Sequence, residues 1–187
     1  MSDRNSSCYG IKPDQLPEVM KNLRKLCRST NVYPSPDQQI AMGHKLWIAE
    51  ELADIANKHT KTPFPVIVKI DDTSDLERII ARPNLWLKRE FSETGLHVLS
   101  VSMKNFKQKF KQQVKETKAM YSHAEVKQEG VQVRWFGMPF IEQLQTLGEL
   151  RVFFAGGKIT HTIWTVPFND KLNLTCANHI TPLDYIE

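Results

Sequence analysis

Residues 140–166 constrain the fold most, because they carry two apolar, strand-like runs on either side of a glycine turn. One strand is predicted to open with Glu149 and the next to run from Ile159 to Val166. Gly156-Gly157 lies between them, and glycine pairs favour tight hairpin turns because both central positions of such turns need positive φ. The segment therefore predicts an antiparallel pair of strands in the last third of the chain.

Two carboxylates stand beside these apolar runs. Glu142 is predicted to end the strand that starts before residue 140, and Glu149 opens the next strand. Glutamate is disfavoured in strands, and burying its carboxylate costs free energy unless it has a hydrogen-bonding partner. Two interpretations are open. The pair holds a polar, hydroxyl-bearing ligand such as a nucleoside, or both carboxylates lie at a rim and pair with Arg151 or Lys158, which would contribute little stability.

Composition indicates a globular chain with an ordinary core. The chain has 187 residues, of which 41% are hydrophobic and 25% are charged, as is usual for soluble proteins. Its 25 basic residues are largely offset by 21 acidic ones, so charge alone indicates no nucleic-acid partner. Cys8, Cys27 and Cys176 are too scattered for a zinc site or a disulfide framework, which favours a reducing, cytoplasmic compartment. No apolar leader and no run of about 18 apolar residues is found, so neither secretion nor a membrane span is expected.

The order of elements predicts an α+β fold. Apolar spacing predicts helices over 14–28, 37–58 and 106–119, a helical turn over 74–80, and strands over 66–70, 85–88 and 97–101, with a polar loop over 122–131. This order does not alternate strictly between strand and helix, so a Rossmann sheet is not favoured. Neither a Gly-x-Gly-x-x-Gly nor a P-loop motif occurs in the sequence.

Three lysines stand where they could meet a phosphate. Lys88 ends an apolar strand and precedes a loop in which Ser92 offers a hydroxyl and Gly95 permits close approach of the backbone. Lys45 lies in the second predicted helix, and Lys69 ends the 66–70 strand. For each lysine the alternative is an ordinary solvated side chain.

The aromatic residues are predicted to belong to the core. Phe106, Phe110 and Val114 recur four apart in the lysine-rich helix, which favours a buried apolar stripe under a solvated basic face over a nucleic-acid surface. Nucleic acid is therefore an unlikely partner. The four tryptophans are predicted to pack in the core as well. They are Trp47, Trp86, Trp135 and Trp164.

The order of these pieces resembles the ATP-grasp superfamily over about residues 36–166. Family members show a helical lysine ahead of a proline-rich strand entry, then a strand-ending lysine with a Ser/Gly loop, then an apolar strand entering an adenine-binding hinge, then a glutamate for the ribose. The matching segments are Gly43-His44-Lys45-Leu46-Trp47, Thr62-Pro63-Phe64-Pro65, Leu85-Trp86-Leu87-Lys88 with the loop 92–98, 138–144, and Gly148-Glu149-Leu150-Arg151.

The resemblance implies a two-lobe fold that binds ATP between its lobes. It implies that Lys45 and Lys88 meet the phosphates beside Ser92 and Gly95. It further implies that Glu142, Gln143 and Leu144 face adenine, that Glu149 binds ribose, and that Lys158, in a turn similar to the family's, belongs to the nucleotide site. The corresponding segments are a lead and helix over 1–36, a first lobe over 37–120 and a second lobe over 121–187. The implied activity is that of an ATP-dependent carboxylate–amine or carboxylate–thiol ligase using Mg²⁺ and a carboxylate substrate.

One part of the family's pattern is missing from this sequence. Family members carry a later Asp and a Glu-x-Asn that hold Mg²⁺, and no Glu-x-Asn follows Val166. We therefore expect ATP binding, with no metal ligands identified. The alternatives are a truncated, non-catalytic remnant of the fold and, less favoured, a basic nucleic-acid-binding domain.

Overall fold

The structure, a computed structural model, describes residues 11–62, 64–71, 73–92 and 97–165, and the backbone of 179–181. Helices and small antiparallel sheets make up a mixed α+β fold, as predicted. The chain divides into two compact units, Met1–Pro139 and Phe140–Glu187. The boundaries predicted after residues 36 and 120 lie inside the first unit and stay predictions. No helix in the described ranges is both long and apolar enough to cross a bilayer.

A four-stranded antiparallel sheet forms the centre of the first unit. Its strands are β1 (Val68–Ile70), β2 (Leu85–Arg89), β3 (Val98–Ser100) and β4 (Trp135–Pro139), in the order β1-β4-β2-β3. Alternate residues of β2 are fully buried because successive side chains of a strand point to opposite faces. One face of β2 therefore belongs to the core, and its other face carries half-buried side chains.

Among the described residues, six α-helices accompany this sheet. They are α1 (Leu16–Leu26), α2 (Pro36–Gly43), α3 (Lys45–His59), α4 (Leu76–Ile80), α5 (Phe106–Met120) and α6 (Ala124–Gln128). The apolar stripe of α5 is buried as predicted, and it packs against the Leu87 face of the sheet. The ring centroids of Phe110 and Trp135 lie 5.4 Å apart in an edge-to-face arrangement.

The helix predicted over 37–58 is in fact two helices that meet at His44. The backbone of His44 has φ −80° and ψ 68°, outside the helical range. Phe91 causes the break, because its N–H donates to the Gly43 carbonyl at 3.0 Å and its ring lies against Gly43. The polar loop predicted over 122–131 is also wrong. α6 forms within this segment, and its Val126 is fully buried in the core.

We expect Gly43→Ala to destabilise the protein by about 1–3 kcal/mol, the usual cost of overpacking a core. An added Cβ would lie 2.2 Å from Phe91 Cε1. The ring cannot easily yield, because Phe91 is 2% exposed and has a φ of 49°. Denaturant unfolding measures the loss. The same substitution in a Phe91→Ala background is the control, and an equal cost in both backgrounds would show that the clash is not the cause.

Two of the four tryptophans contradict the prediction of core packing. Trp135 is 5% exposed, whereas Trp47 and Trp164 are about half exposed. Trp47 lies on an uncovered side of α3, and the indole N–H of Trp164 donates to the Leu147 carbonyl at 2.7 Å.

The second unit contains α7 (Gln143–Thr146) and the antiparallel strands β5 (Glu149–Ala155), β6 (Lys158–Thr165) and β7 (His179–Thr181). The predicted hairpin is confirmed, since Gly156 and Gly157 have φ values of 57° and 76° between β5 and β6. These are the positive angles that a tight hairpin turn requires.

The strand predicted to reach Glu142 ends earlier. β4 stops at Pro139, which has no N–H to donate to a neighbouring strand. Glu142 then begins a helical turn, in which the N–H of Leu144 donates to the Ile141 carbonyl at 3.0 Å and the N–H of Gln145 donates to the Glu142 carbonyl at 2.9 Å. Glu142 is thus the residue before α7, not the end of a strand.

Candidate functional site

Lys88 lies on the face of the sheet opposite to α5. Its neighbours Leu87 and Arg89 are buried on the α5 face, while Lys88 is half-buried on the other. Phe136 of β4 and Val98 of β3 are its cross-strand partners. Burial lowers the pKa of Lys88, and the charge of Lys45 lowers it further. The lysine therefore stands within a sheet face rather than at a fully solvated end.

Lys45 reaches the same region from the start of α3. Its Nζ donates a hydrogen bond to the backbone carbonyl of Ser92. Since its charge also lowers the pKa of Lys88, the two ammonium groups are close enough to repel each other. The structure thus brings together Lys45, Lys88 and Ser92, three of the residues predicted from the sequence. Gly95, the fourth member of this predicted group, lies outside the described residues.

His97 adds a buried imidazole beside these cations. It is 7% exposed, and its Nδ1 has no hydrogen-bond partner among the described residues. Burial lowers its pKa from 6.5 to about 4, helped by the charges of Arg89 and Lys45. The imidazole is therefore neutral at pH 7, so the positive charge of the site comes from lysine and arginine.

Glu90 is the buried carboxylate that holds this site together. It is 0% exposed, and Arg134 donates to it from Nε at 2.9 Å, from Nη2 at 3.0 Å and from the backbone N–H at 3.0 Å. The backbone N–H of Leu46 donates to it at 3.1 Å. Burial alone would raise the pKa of Glu90, but the His44 ring and the Arg134 guanidinium outweigh burial and keep the pKa below its ordinary value.

Glu90 therefore fixes the first turn of α3, where Lys45 stands. Carboxylates are favourable near a helix N-terminus because they accept from its unpaired N–H groups. His44 supports this junction, since its Nδ1 lies 3.8 Å from Glu90 Oε1 and its Nε2 lies 3.1 Å from the Gly130 carbonyl oxygen. The position of Lys45 thus depends on a carboxylate from a distant strand end.

Glu90 and its partners were not predicted from the sequence. The residues after Lys88 were predicted to form a loop, where a glutamate is ordinarily solvated. One signal was available, because Glu90 follows the apolar run Leu85-Trp86-Leu87 just as Glu142 and Glu149 adjoin apolar runs. Its partner Arg134 gives no such signal, since only the pairing of β2 with β4 brings the two together.

The predicted residues of the second unit occupy exposed or half-exposed positions. Glu142, Gln143 and Leu144 lie at the start of α7, and Lys158 opens β6. Glu149 opens β5, and its carboxylate accepts from Arg151 Nε at 3.2 Å. This contact is the rim ion pair named above as one of two interpretations, so the ribose role of Glu149 stays a prediction.

The described residues show no cluster of metal-binding side chains. No group of three or more His, Cys, Asp and Glu side chains that could hold a metal occurs in them. We therefore derive no chemical step that involves a metal ion.

Comparisons of the chain with models of known families, with curated proteins and with solved structures give no match. The chemistry of the site alone has to indicate its function.

Proposed function

We propose that this protein binds ATP through an ATP-grasp-like, two-lobe fold, and that Lys45 and Lys88 bind the phosphates. One observation carries the proposal: Lys88 on the sheet and Lys45 at the start of α3 come close together from distant segments, so that the charge of Lys45 lowers the pKa of Lys88. Like charges in a half-buried site destabilise one another, and a bound polyanion would offset this repulsion. Lysine is a compact cation that commonly binds phosphate in this way.

The surroundings of the lysines support a phosphate site. His97 is neutral at pH 7, so it neither adds to nor offsets the charge of the two lysines. The buried Glu90 is already paired with Arg134, so it does not neutralise the lysines. A phosphate would take the place of the Ser92 carbonyl as the partner of Lys45, or would share Lys45 with it.

The remaining roles follow from the resemblance alone. We propose that Glu142, Gln143 and Leu144 contact adenine, that Glu149 binds the ribose and that Lys158 belongs to the nucleotide site. A carboxylate substrate and a cytoplasmic location are also part of the proposal. Turnover as a ligase would need Mg²⁺ ligands that the described residues do not supply. We therefore propose nucleotide binding and no reaction step.

Calorimetry with ATP, in the presence and absence of Mg²⁺, tests the proposal. We expect Lys45→Met and Lys88→Met each to weaken ATP binding at least about tenfold, equivalent to the loss of about 1.4 kcal/mol. Lys69→Met is the matched control. Lys69 and Lys88 are both cross-strand partners of Phe136, but Lys69 Nζ already pairs with Glu50 Oε1 at 2.5 Å. Circular dichroism confirms that each variant folds. No binding heat from the unmodified chain, or equal weakening by Lys69→Met, would contradict the proposal.

A further inference from the structure

A second candidate binding site lies beside α5, which packs on the opposite face of the sheet from Lys88. It is a groove of about 730 Å³ between the C-terminal end of α5 and the segment that follows α6. Thr117, Lys118 and Tyr121 line one wall, and Lys127 and 130–133 line the other. Its volume is in the range of small-molecule sites, about 300–1,000 Å³.

The groove is positively charged. Lys118 and Lys127 stand on its two walls, and among the described residues neither forms an ion pair. Arg89 contributes a buried charge from behind the wall, because its Nη1 donates to Thr117 Oγ1 at 3.2 Å. The guanidinium carbon of Arg89 also lies 5.8 Å from the centroid of the Tyr121 ring. An anion in the groove would therefore meet two exposed cations and one buried cation.

The floor of the groove is apolar and leads to a buried hydrogen-bond donor. Val131 is 3% exposed and Val133 is half-buried. A smaller cavity of about 180 Å³ shares Thr117, Lys118 and Val133 with the groove and extends to Trp135. Trp135 is 5% exposed, and its indole N–H has no hydrogen-bond partner in the part of the chain that the structure describes.

The wider groove is the more positively charged part of this space. Lys118 and Lys127 line it and no acidic residue does so in the described chain, whereas Asp71 lines the smaller cavity together with Lys118 and Arg134. A negative group is therefore favoured between the two lysines of the wider groove.

We propose that this groove binds a small organic anion with an apolar ring body. Its carboxylate, sulfonate or phosphate lies between Lys118 and Lys127, and its ring packs on Val131 and Val133. The site is separate from the ATP site proposed above, since the two use opposite faces of the sheet.

Titration of the ¹⁵N-labelled chain with 6-hydroxynaphthalene-2-sulfonate tests this proposal. We expect saturable shifts of the Val131 and Val133 amides and of the Trp135 indole N–H. The double variant Lys118→Glu with Lys127→Glu is expected to bind at least about a hundredfold more weakly, about tenfold for each lost charge contact. Lys109→Glu is the matched control, since Lys109 is exposed on the same helix outside the groove. We expect it to bind the probe with unchanged affinity.

Two further arms separate this site from other causes of binding. The neutral compound 2-naphthol should bind at least about tenfold more weakly than the sulfonate if the lysines recognise the anion. Lys88→Met should leave the affinity for the sulfonate unchanged, whatever becomes of ATP binding. Shifts confined to other regions, equal binding of 2-naphthol, or equal weakening by Lys109→Glu or Lys88→Met would each overturn the proposal.

Discussion

Replacing Glu90 by alanine is expected to lower the free energy of unfolding by about 3–5 kcal/mol, the usual cost of removing one partner of a buried ion pair. The carboxylate is 0% exposed and accepts from the Arg134 guanidinium and from two backbone N–H groups. Without it, the N–H groups of Leu46 and Arg134 lose their acceptor, and buried unpaired donors are costly. Denaturant unfolding at pH 7 measures the effect.

An exposed ion pair of the same chain provides the control for Glu90. Asp54 and Lys58 pair at 2.6 Å on the surface of α3, so Asp54→Ala should leave the unfolding midpoint unchanged because exposed pairs contribute little. Arg134→Met should destabilise nearly as much as Glu90→Ala, since it leaves the carboxylate buried without its cation. A loss for Glu90→Ala as small as that for Asp54→Ala would show that the network is not structural.

We also expect the protein to lose stability as the pH falls from about 6.5 to about 4, because His97 is buried. The folded state holds the pKa of His97 at about 4, against an ordinary value of 6.5. The unfolded chain therefore binds a proton in this window that the folded chain does not, so stability is full above pH 6.5 and falls as the pH drops. A pKa shift of this size corresponds to about 3 kcal/mol in the free energy of unfolding, and most of this stability is lost by pH 4.5.

Unfolding free energies at pH 7.5 and pH 4.5 test this effect in the unmodified chain and in His97→Gln. We expect the variant to lose about 2–3 kcal/mol less than the unmodified chain over this interval. His59→Gln is the control, because His59 is exposed at the end of α3. An NMR titration that places the His97 midpoint near 6.5 would refute the argument. Glu90 does not confound it, since the stability that its lowered pKa provides is lost at a lower pH, below its ordinary value of 4.5.

Local patterns in the sequence predicted those parts of the fold that depend on neighbouring residues. The hairpin of β5 and β6 was predicted because positive φ at Gly156 and Gly157 is a property of the glycines themselves. The apolar stripe of α5 was predicted because side chains four apart share one face of any helix. Lys88 was placed at a strand end by the same kind of local reasoning.

The features that were missed depend on contacts between distant segments. The break at His44 exists because Phe91 packs against Gly43. The sequence around residue 44 does not predict this contact, because Phe91 lies far along the chain. Trp47 was expected in the core because it is a large aromatic residue, whereas the residues that cover a helix face are decided by packing between distant segments. The pairing of Glu90 with Arg134 likewise requires β2 and β4 to be adjacent, which strand patterns do not specify.

The contact between Glu90 and the start of α3 also bears on the order of folding events. A helix that carries its own N-cap can form its first turn as an isolated segment, because all the partners are local. The first turn of α3 instead receives its acceptor from Glu90, after β2, and that acceptor is oriented by Arg134, just before β4. Closing such long loops costs chain entropy before any contact is gained. We therefore expect the segment that carries Lys45 to acquire its final geometry only when the central sheet has assembled, as a late-forming part of the first unit.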